Sequence, residues 1–414
     1  MGGKGAILIV LGFSLIFMVA GMNFNHMASS TTENMSSYYN EAKAHQIASS
    51  GVNMIVNKLF VDATIPDQTF SYNFDNGTIT GVLTTTDAYK NIKQLLCTGT
   101  INGTSTTIKI IFKPSLFSKY AYFSNMESSS GKIYWTTSDT VWGPFHTNDD
   151  LDIQGNPVFK GKVTIGGSET KTSGSKPQYL GGFQKGVQIT LPSNGVSTVA
   201  TQASGGFTFP SGKTLVYLEF RKDSVRYRYA TSGTGSTWTY KLASALSPNG
   251  IIYAQNAELH ISGTVKGQYT VIASGTTSGQ GNVYLDNDIV LNTDPSKNSS
   301  SKDMLGIVAK QNVIITNNTA NQDDINIQAA IYVENGSFKV DAHDSGDPRG
   351  SINLYGGITQ KTRGAVGTIG TDKWGNKYIA TGYNKRYKYD DRLLISYPPY
   401  YPGCGTFEVV SWLE

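Results

Sequence analysis

Asn148-Asp149-Asp150-Leu151-Asp152-Ile153-Gln154-Gly155 lines up residue for residue with Asn256-Ala257-Glu258-Leu259-His260-Ile261-Ser262-Gly263. In both, Leu and Ile alternate with polar residues before a closing glycine, the pattern of a short strand with one buried face. A further strand follows each copy, Lys162-Val163-Thr164-Ile165 in the first and Tyr269-Thr270-Val271-Ile272 in the second. Shorter echoes are Asn282-Val283-Tyr284-Leu285, Asn312-Val313-Ile314-Ile315 and Asn335-Gly336-Ser337-Phe338-Lys339-Val340. Apolar tetrads precede most of them, as at Ile251–Ala254, Gly306–Ala309 and Ala330–Val333.

Landmarks Ile252, Ile272, Ile289, Ile307, Ile331 and Leu354 stand 17 to 24 residues apart. A period of about 20 residues, built from short strands with Asn or Gly at the corners, is the mark of a β-solenoid, in which each turn buries its aliphatic face on the next. A mainly β chain with a right-handed parallel β-helix is therefore expected; a β-sandwich with coincidental spacing is the alternative. Asn148, Asn256, Asn282, Asn312 and Asn335 are predicted to share equivalent corners as a structural ladder, though not necessarily of adjacent turns.

Outward from this core, residues 136–165 read as a first solenoid turn, 166–249 as an inserted β-hairpin region, 250–358 as the solenoid and 359–414 as an aperiodic, Tyr- and Pro-rich C-terminal cap. In the insertion, Leu215–Phe220 and Val225–Tyr229 alternate around Lys222-Asp223. Residues 61–135 form an antiparallel β region, with Asn76-Gly77 and Asn102-Gly103 as hairpin turns because these residues tolerate positive φ. Leader residues 1–5 and a helix over 6–60 complete the division.

The helix begins in Ala6–Met22 (AILIVLGFSLIFMVAGM), an uncharged run behind Lys4. At 1.5 Å per residue it reaches about 25 Å, the short end of what a bilayer core demands. No proline follows between Asn23 and Phe60, and Ala44, Ile47, Ala48, Gly51, Ile55 and Leu59 form one apolar stripe. One helix of about 80 Å, starting in lipid and ending docked on a globular body, fits this pattern. A secretory signal cut after Gly21 is the alternative.

Gly5-Ala6 behind Lys4, the apolar run, Glu33-Asn34-Met35 and Ala44-His45-Gln46-Ile47-Ala48-Ser49-Ser50-Gly51 resemble the amino terminus of PilX-type minor pilins of type IV pilus systems. The resemblance implies processing between Gly5 and Ala6, membrane insertion, and contacts with other pilin subunits and the pilus assembly machinery. Val10 stands where family pilins usually carry glutamate as the fifth mature residue, and Ser50 where the family has glutamate. The blocks at Gly143–Asn148, Asn156–Gly161 and Arg363–Gly367 are similar to uncharacterised bacterial envelope proteins that join a PilX-like amino terminus to a β-solenoid body.

Charged residues make up only 15% of the 414, against 45 Gly and 24 Tyr, the balance of an extracellular all-β protein. The net charge of +4 forms no basic stripe, which argues against nucleic acid. Cys97 and Cys404 could form a disulfide in an oxidising compartment, or remain two thiols; neither has a metal-ligand spacing. His146 with Asp149, Asp150 and Asp152, and His343 with Asp341, Asp344 and Asp347, read as solvated corners rather than metal sites. No nucleophile, zinc or phosphate-loop motif occurs. The reading is non-enzymatic, without cofactor: a membrane-inserted envelope protein displaying a solenoid outside the cell. An adhesin recognising surface glycan is a second class, and a polysaccharide lyase using Asp286, Asp288, Asp323 and Lys339 a third.

Overall fold

The computed structural model describes residues 3–87, 90–128, 131–233, 235, 237–373 and 377–414. Met1 and Gly2 of the expected leader lie outside the described residues. The chain is a long N-terminal helix followed by mainly β structure, in two compact units: residues up to Pro114 with Thr406–Glu414, and Ser115–Gly405.

The first unit contains helix α1 (Gly3–Val61), 59 residues and so about 88 Å long. Its buried residues are Ala44, Ile47, Ala48, Gly51, Val52, Ile55, Val56 and Leu59, one stripe at helical spacing. They pack on Ile79, Leu83, Leu95, Cys97, Ile108, Ile110 and Phe112 of an antiparallel sheet. In that sheet Gln68–Phe74, Gly77–Asp87, Ile92–Ile101 and Thr104–Leu116 run in order, and Gly403–Leu413 adds a fifth strand beside the fourth. The close approach needs glycine: a Cβ on Gly99 would sit 2.3 Å from the Ala44 carbonyl oxygen and 2.4 Å from the Ala48 nitrogen. Asn102 and Gly103 turn the second hairpin with φ of 49° and 79°, as expected. The first hairpin turns one residue earlier than expected, at Asp75 and Asn76 (φ 51° and 63°), and Gly77 pairs with Phe74. Gly77 is required for space instead, since its Cβ would meet Thr100 O and the Ile47 side chain.

The second unit is a mostly parallel stack of three-sided coils. Along one side Phe207, Ile252, Val271, Ile307, Ile331, Ile358, Tyr122, Phe145, Val163 and Phe183 follow in register. A second side runs Phe220, Gly263, Ile289, Ile327, Leu354, Tyr387, Val141, Phe159 and Tyr179. The third carries Val216, Leu259, Val283, Val313 and Phe338, then Trp135, Ile153 and Lys171. Most of these side chains are fully buried, giving the interior columns a solenoid requires.

The order of coils differs from the order of the chain. Residues 122–185 wind from the middle of the stack to one end, and 186–206 cross back to the other. Residues 207–389 then wind in the same sense until Ile358 pairs with Tyr122 and Tyr387 with Val141. A non-covalent seam therefore joins the last coil to the first. The crossover carries a short helix, Gly195–Ala200, whose Val196 and Val199 are buried. Val196 N donates to the buried Glu334 at 2.7 Å, and Tyr332 to Pro192 O at 3.3 Å.

Three expected boundaries change accordingly. Residues 166–249 are not one insertion: 169–185 continue the stack, 207–208 and 215–222 rejoin it, and Ser224–Ala230 with Thr239–Leu242 form an antiparallel add-on. The terminal coil places Lys171, Tyr179 and Phe183 where other coils have aliphatics, which hides the period. Residues 359–414 are not a cap throughout, since Pro348–Thr362 and Lys377–Tyr389 are coil strands whose Tyr383, Tyr387 and Tyr389 replace aliphatics, and Gly403–Leu413 leaves for the antiparallel sheet. The antiparallel region ends at Leu116, and Tyr122 already belongs to a coil rather than to a region reaching 135.

Candidate functional site

Two features of the chain have a chemistry to explain. In α1, Ile7, Leu8, Ile9, Val10, Phe13 and Phe17 are each more than half exposed, and the most apolar 18-residue window, of mean hydropathy 2.5, is 0% buried. This is the one helix among the described residues long and apolar enough to cross a membrane. Gly5 and Ala6 lie in its first turns, both exposed.

The other feature is the seam, where seven side chains from two distant stretches, 122–139 and 363–385, form a polar cluster. Glu127 accepts from Tyr122 (3.1 Å), Ser124 (2.5 Å) and Trp135 Nε1 (3.0 Å), and pairs with Arg363 at 3.0 Å. Both members of that pair are 5% exposed, so the charges are taken from water and must satisfy each other. Arg363 also donates to Ile133 O at 3.1 Å and lies 4.2 Å from the Trp135 ring centre, a cation–π contact. Lys385 pairs with the buried Asp139 at 3.1 Å, with its ammonium 5.0 Å from the same ring. Burial works against the Arg363 charge, but Glu127 beside it, with Tyr122 and Asp139, holds the guanidinium above its ordinary value. For Lys385 burial prevails over Asp139, and the ammonium is pushed below the usual lysine range. Burial, then Glu127, raises the Tyr122 phenol, which stays protonated as a donor.

Beside this cluster opens a cavity of about 330 Å³, within the lower part of the small-molecule range. Its wall includes Tyr134, Trp135, Gln154, Arg363, Ile379 and Asn384. Of the seven cluster residues, Arg363 opens the block Arg363–Gly367 noted in the sequence, but none of them was assigned a role there. Arg363 and Glu127 stand 236 positions apart, and only the closure of the seam brings them together.

The residues the sequence did single out fall in several places. Asn282 and Asn312 stack at one corner, with Asn312 N and Nδ2 each donating to Asn282 Oδ1 at 3.0 Å, and Ser337 N donating to Asn312 Oδ1 at 3.0 Å. Asn256 and Asn335 lie in the same bend between the first and third sides, but the register that aligns Leu259, Val283, Val313 and Phe338 puts both two positions earlier in it. Asn256 has the positive φ (51°) of a turn residue. Asn148, between Phe145 of the first side and Ile153 of the third, occupies the same bend in a coil beyond the seam and donates to Asn125 of the adjacent coil at 3.0 Å. The five asparagines thus share one bend of the coil, as expected, but not one position in it: Asn282 and Asn312 bond each other, and the others bond elsewhere, because a bend several residues long offers more than one place where a short amide can bond backbone.

No disulfide joins Cys97 and Cys404. Cys97 is buried beneath α1, 3.4 Å from the Ala48 carbonyl, and burial pushes its thiol up to about 11. His146 is fully buried, with Nδ1 2.7 Å from Thr164 Oγ1 and Nε2 2.9 Å from Asn148 Oδ1, so neither ring nitrogen is open to a metal. Among the described residues no three His, Cys, Asp or Glu side chains converge as a metal site. Of the four lyase candidates, Asp286 bonds His260 at 2.9 Å and Asp288 accepts from Asn326 at 2.8 Å.

Residues 80–168 match a family described as a domain of unknown function, DUF4900. No curated protein matches the chain. Among solved structures, the competence-associated pilin ComZ from Thermus thermophilus is similar over 91% of this chain and 98% of that chain, at 13% identity and a TM-score of 0.33.

Proposed function

We propose that this chain is a non-enzymatic, minor-pilin-like subunit of the cell envelope, held in a membrane or a bundle of like helices by the first part of α1. Its β-solenoid would be displayed outside the cell as part of a type IV pilus or related assembly. The observation that carries the reading is the uncovered apolar run at Ile7–Val19, each of whose large side chains is at least half exposed. Leaving such a surface in water costs about 25 cal/mol per Å², so it requires lipid or other apolar helices around it. The stripe from Ala44 to Leu59, by contrast, is already satisfied by the sheet. One helix therefore has an insertion half and a docking half, as the PilX-type resemblance of its sequence implies.

The test is the mature amino terminus of the membrane fraction, read by mass spectrometry. A chain starting at Ala6 supports prepilin-type processing between Gly5 and Ala6. A chain starting near Met22 overturns the reading, because the apolar run would then have been a discarded signal. An intact Met1 would retain the membrane anchor and remove the pilin assignment.

A further inference from the structure

The seam cavity has an unusual division of labour on its wall. Its charged groups are spent on one another or on nearby carboxylates: Arg363 on Glu127, Lys385 on Asp139, and Lys132 on Asp152 at 2.7 Å. An ionic ligand would therefore have to break a pair already made, at the cost of a buried charge. Gln154 and Tyr134 line the same space, and among the described residues neither the amide of the one nor the hydroxyl of the other has a hydrogen-bond partner; the Asn384 side chain uses its oxygen, accepting from Lys385 N at 3.0 Å. A purely apolar ligand would strand these neutral groups, each worth about 1–3 kcal/mol when buried unsatisfied. Apolar surface is present too, from Ile379 and the ring of Tyr134. Neutral donors and acceptors beside an apolar wall match a molecule with hydroxyls around its rim and C–H groups on its faces.

We propose that this cavity binds a neutral sugar, one or two residues long, such as the end of a surface glycan. Tyr134 and Gln154 come from the first coils and Ile379 and Asn384 from the last, so the sugar bridges the seam. Binding to the closed seam alone then stabilises it by mass action. The site lies wholly within the second unit, and the inference is independent of membrane insertion.

The experiment is titration calorimetry on the full chain in a sugar-free detergent, with glucose, galactose, N-acetylglucosamine and lactose as neutral probes and glucuronic acid and glucosamine as charged ones. At least one neutral sugar is expected to bind saturably, with slower amide exchange in residues 122–126 and 358–362. Ile379→Trp, which fills the cavity, is expected to abolish binding. Gln154→Leu removes one hydrogen bond from the wall without adding bulk and should weaken binding about tenfold, whether or not the larger substitution folds. The proposal is overturned if no neutral probe binds at tens of millimolar, if a charged probe binds better than all the neutral ones, or if Gln154→Leu binds as well as the parent chain.

Discussion

Replacing Arg363 by Met tests whether the seam is held by its buried ion pair. The substitution keeps most of the side-chain volume but leaves Glu127, 5% exposed, without its cation. Breaking a buried pair from one side costs about 3–5 kcal/mol. Here the lower end applies, because Tyr122, Ser124 and Trp135 still donate to the carboxylate. The loss should fall on the seam, so the readout is amide hydrogen exchange by mass spectrometry, comparing 122–126 and 358–362 with the distant strand Ile251–Ala254. A local loss of about 3 kcal/mol raises exchange at the seam roughly a hundredfold or more and leaves 251–254 nearly unchanged. The double variant Glu127→Gln, Arg363→Met should recover much of it. A glutamine can turn its oxygen to Trp135 Nε1 and its amide to the hydroxyls of Tyr122 and Ser124, so no charge stays buried. The reasoning is refuted if exchange at 122–126 rises less than about tenfold in the single variant, or if the double variant is no better.

Gly99→Ala should destabilise the first unit by about 1–3 kcal/mol, seen as a lower urea midpoint of its unfolding step, because the new methyl meets helix backbone that cannot swing aside. Asp67 is lowered to about 2 by the Thr85 backbone N–H first, then by Lys93 and the Thr85 hydroxyl. Its contribution is thus complete above the ordinary aspartate value of 3.8 and lost as pH falls towards 2. Asp67→Asn should lower stability at neutral pH, and the difference from the parent should shrink over that window in acid-unfolding curves. Cys97, held up near 11 by burial, should resist iodoacetamide at pH 8 in the native chain and react once it is unfolded.

The helix was legible because its two halves have different periodicities: apolar all round to Met22, then one stripe that the sheet covers residue for residue at Ala44, Ile47, Ala48, Gly51, Ile55 and Leu59. The parallel coils were legible where aliphatics recur, and Ile252, Ile307 and Ile331 do share a column. Ile289 and Leu354 belong to a different side of the coil, and Ile272 lies beside the column position held by Val271, so the apparent period mixed three sets of positions. The seam left no trace in the sequence. Its columns are filled by Tyr122, Trp135 and Tyr387, which break an aliphatic period, and its ion pairs join residues that no local pattern relates. Interior positions accept whatever side chain the local space admits, from Gly263 to Tyr387 along one side, so burial recurs along a column while residue type and volume do not.

The permuted order of coils also changes what a load on the chain would do. A solenoid whose chain enters at one end and leaves at the other is pulled through every coil, and each coil holds only to its neighbours. Here the chain enters at Ser115–Tyr122 and leaves after Tyr389, both at the seam, and the two segments are tied by Phe117 N donating to Pro402 O at 3.2 Å. Tension between these attachments acts on the seam and on the segment from 390 to 405. The coils at Phe183 and at Phe207, which end the stack, lie outside that path. Tyr389 bonds Ser118 O at 3.0 Å, and Arg392 bonds Ser301 O at 2.6 Å, so the leaving segment is fastened to the entering segment and to a loop of the stack before it goes. The buried Glu127–Arg363 and Asp139–Lys385 pairs sit at the one place where the stack lacks a covalent connection. A hydrophobic seam would resist opening as well, but paired charges add a register requirement: only the alignment of Ile358 on Tyr122 and Tyr387 on Val141 brings both cations onto their carboxylates. A one-coil slip, which the similar aliphatic columns would otherwise tolerate, leaves four buried charges unmatched.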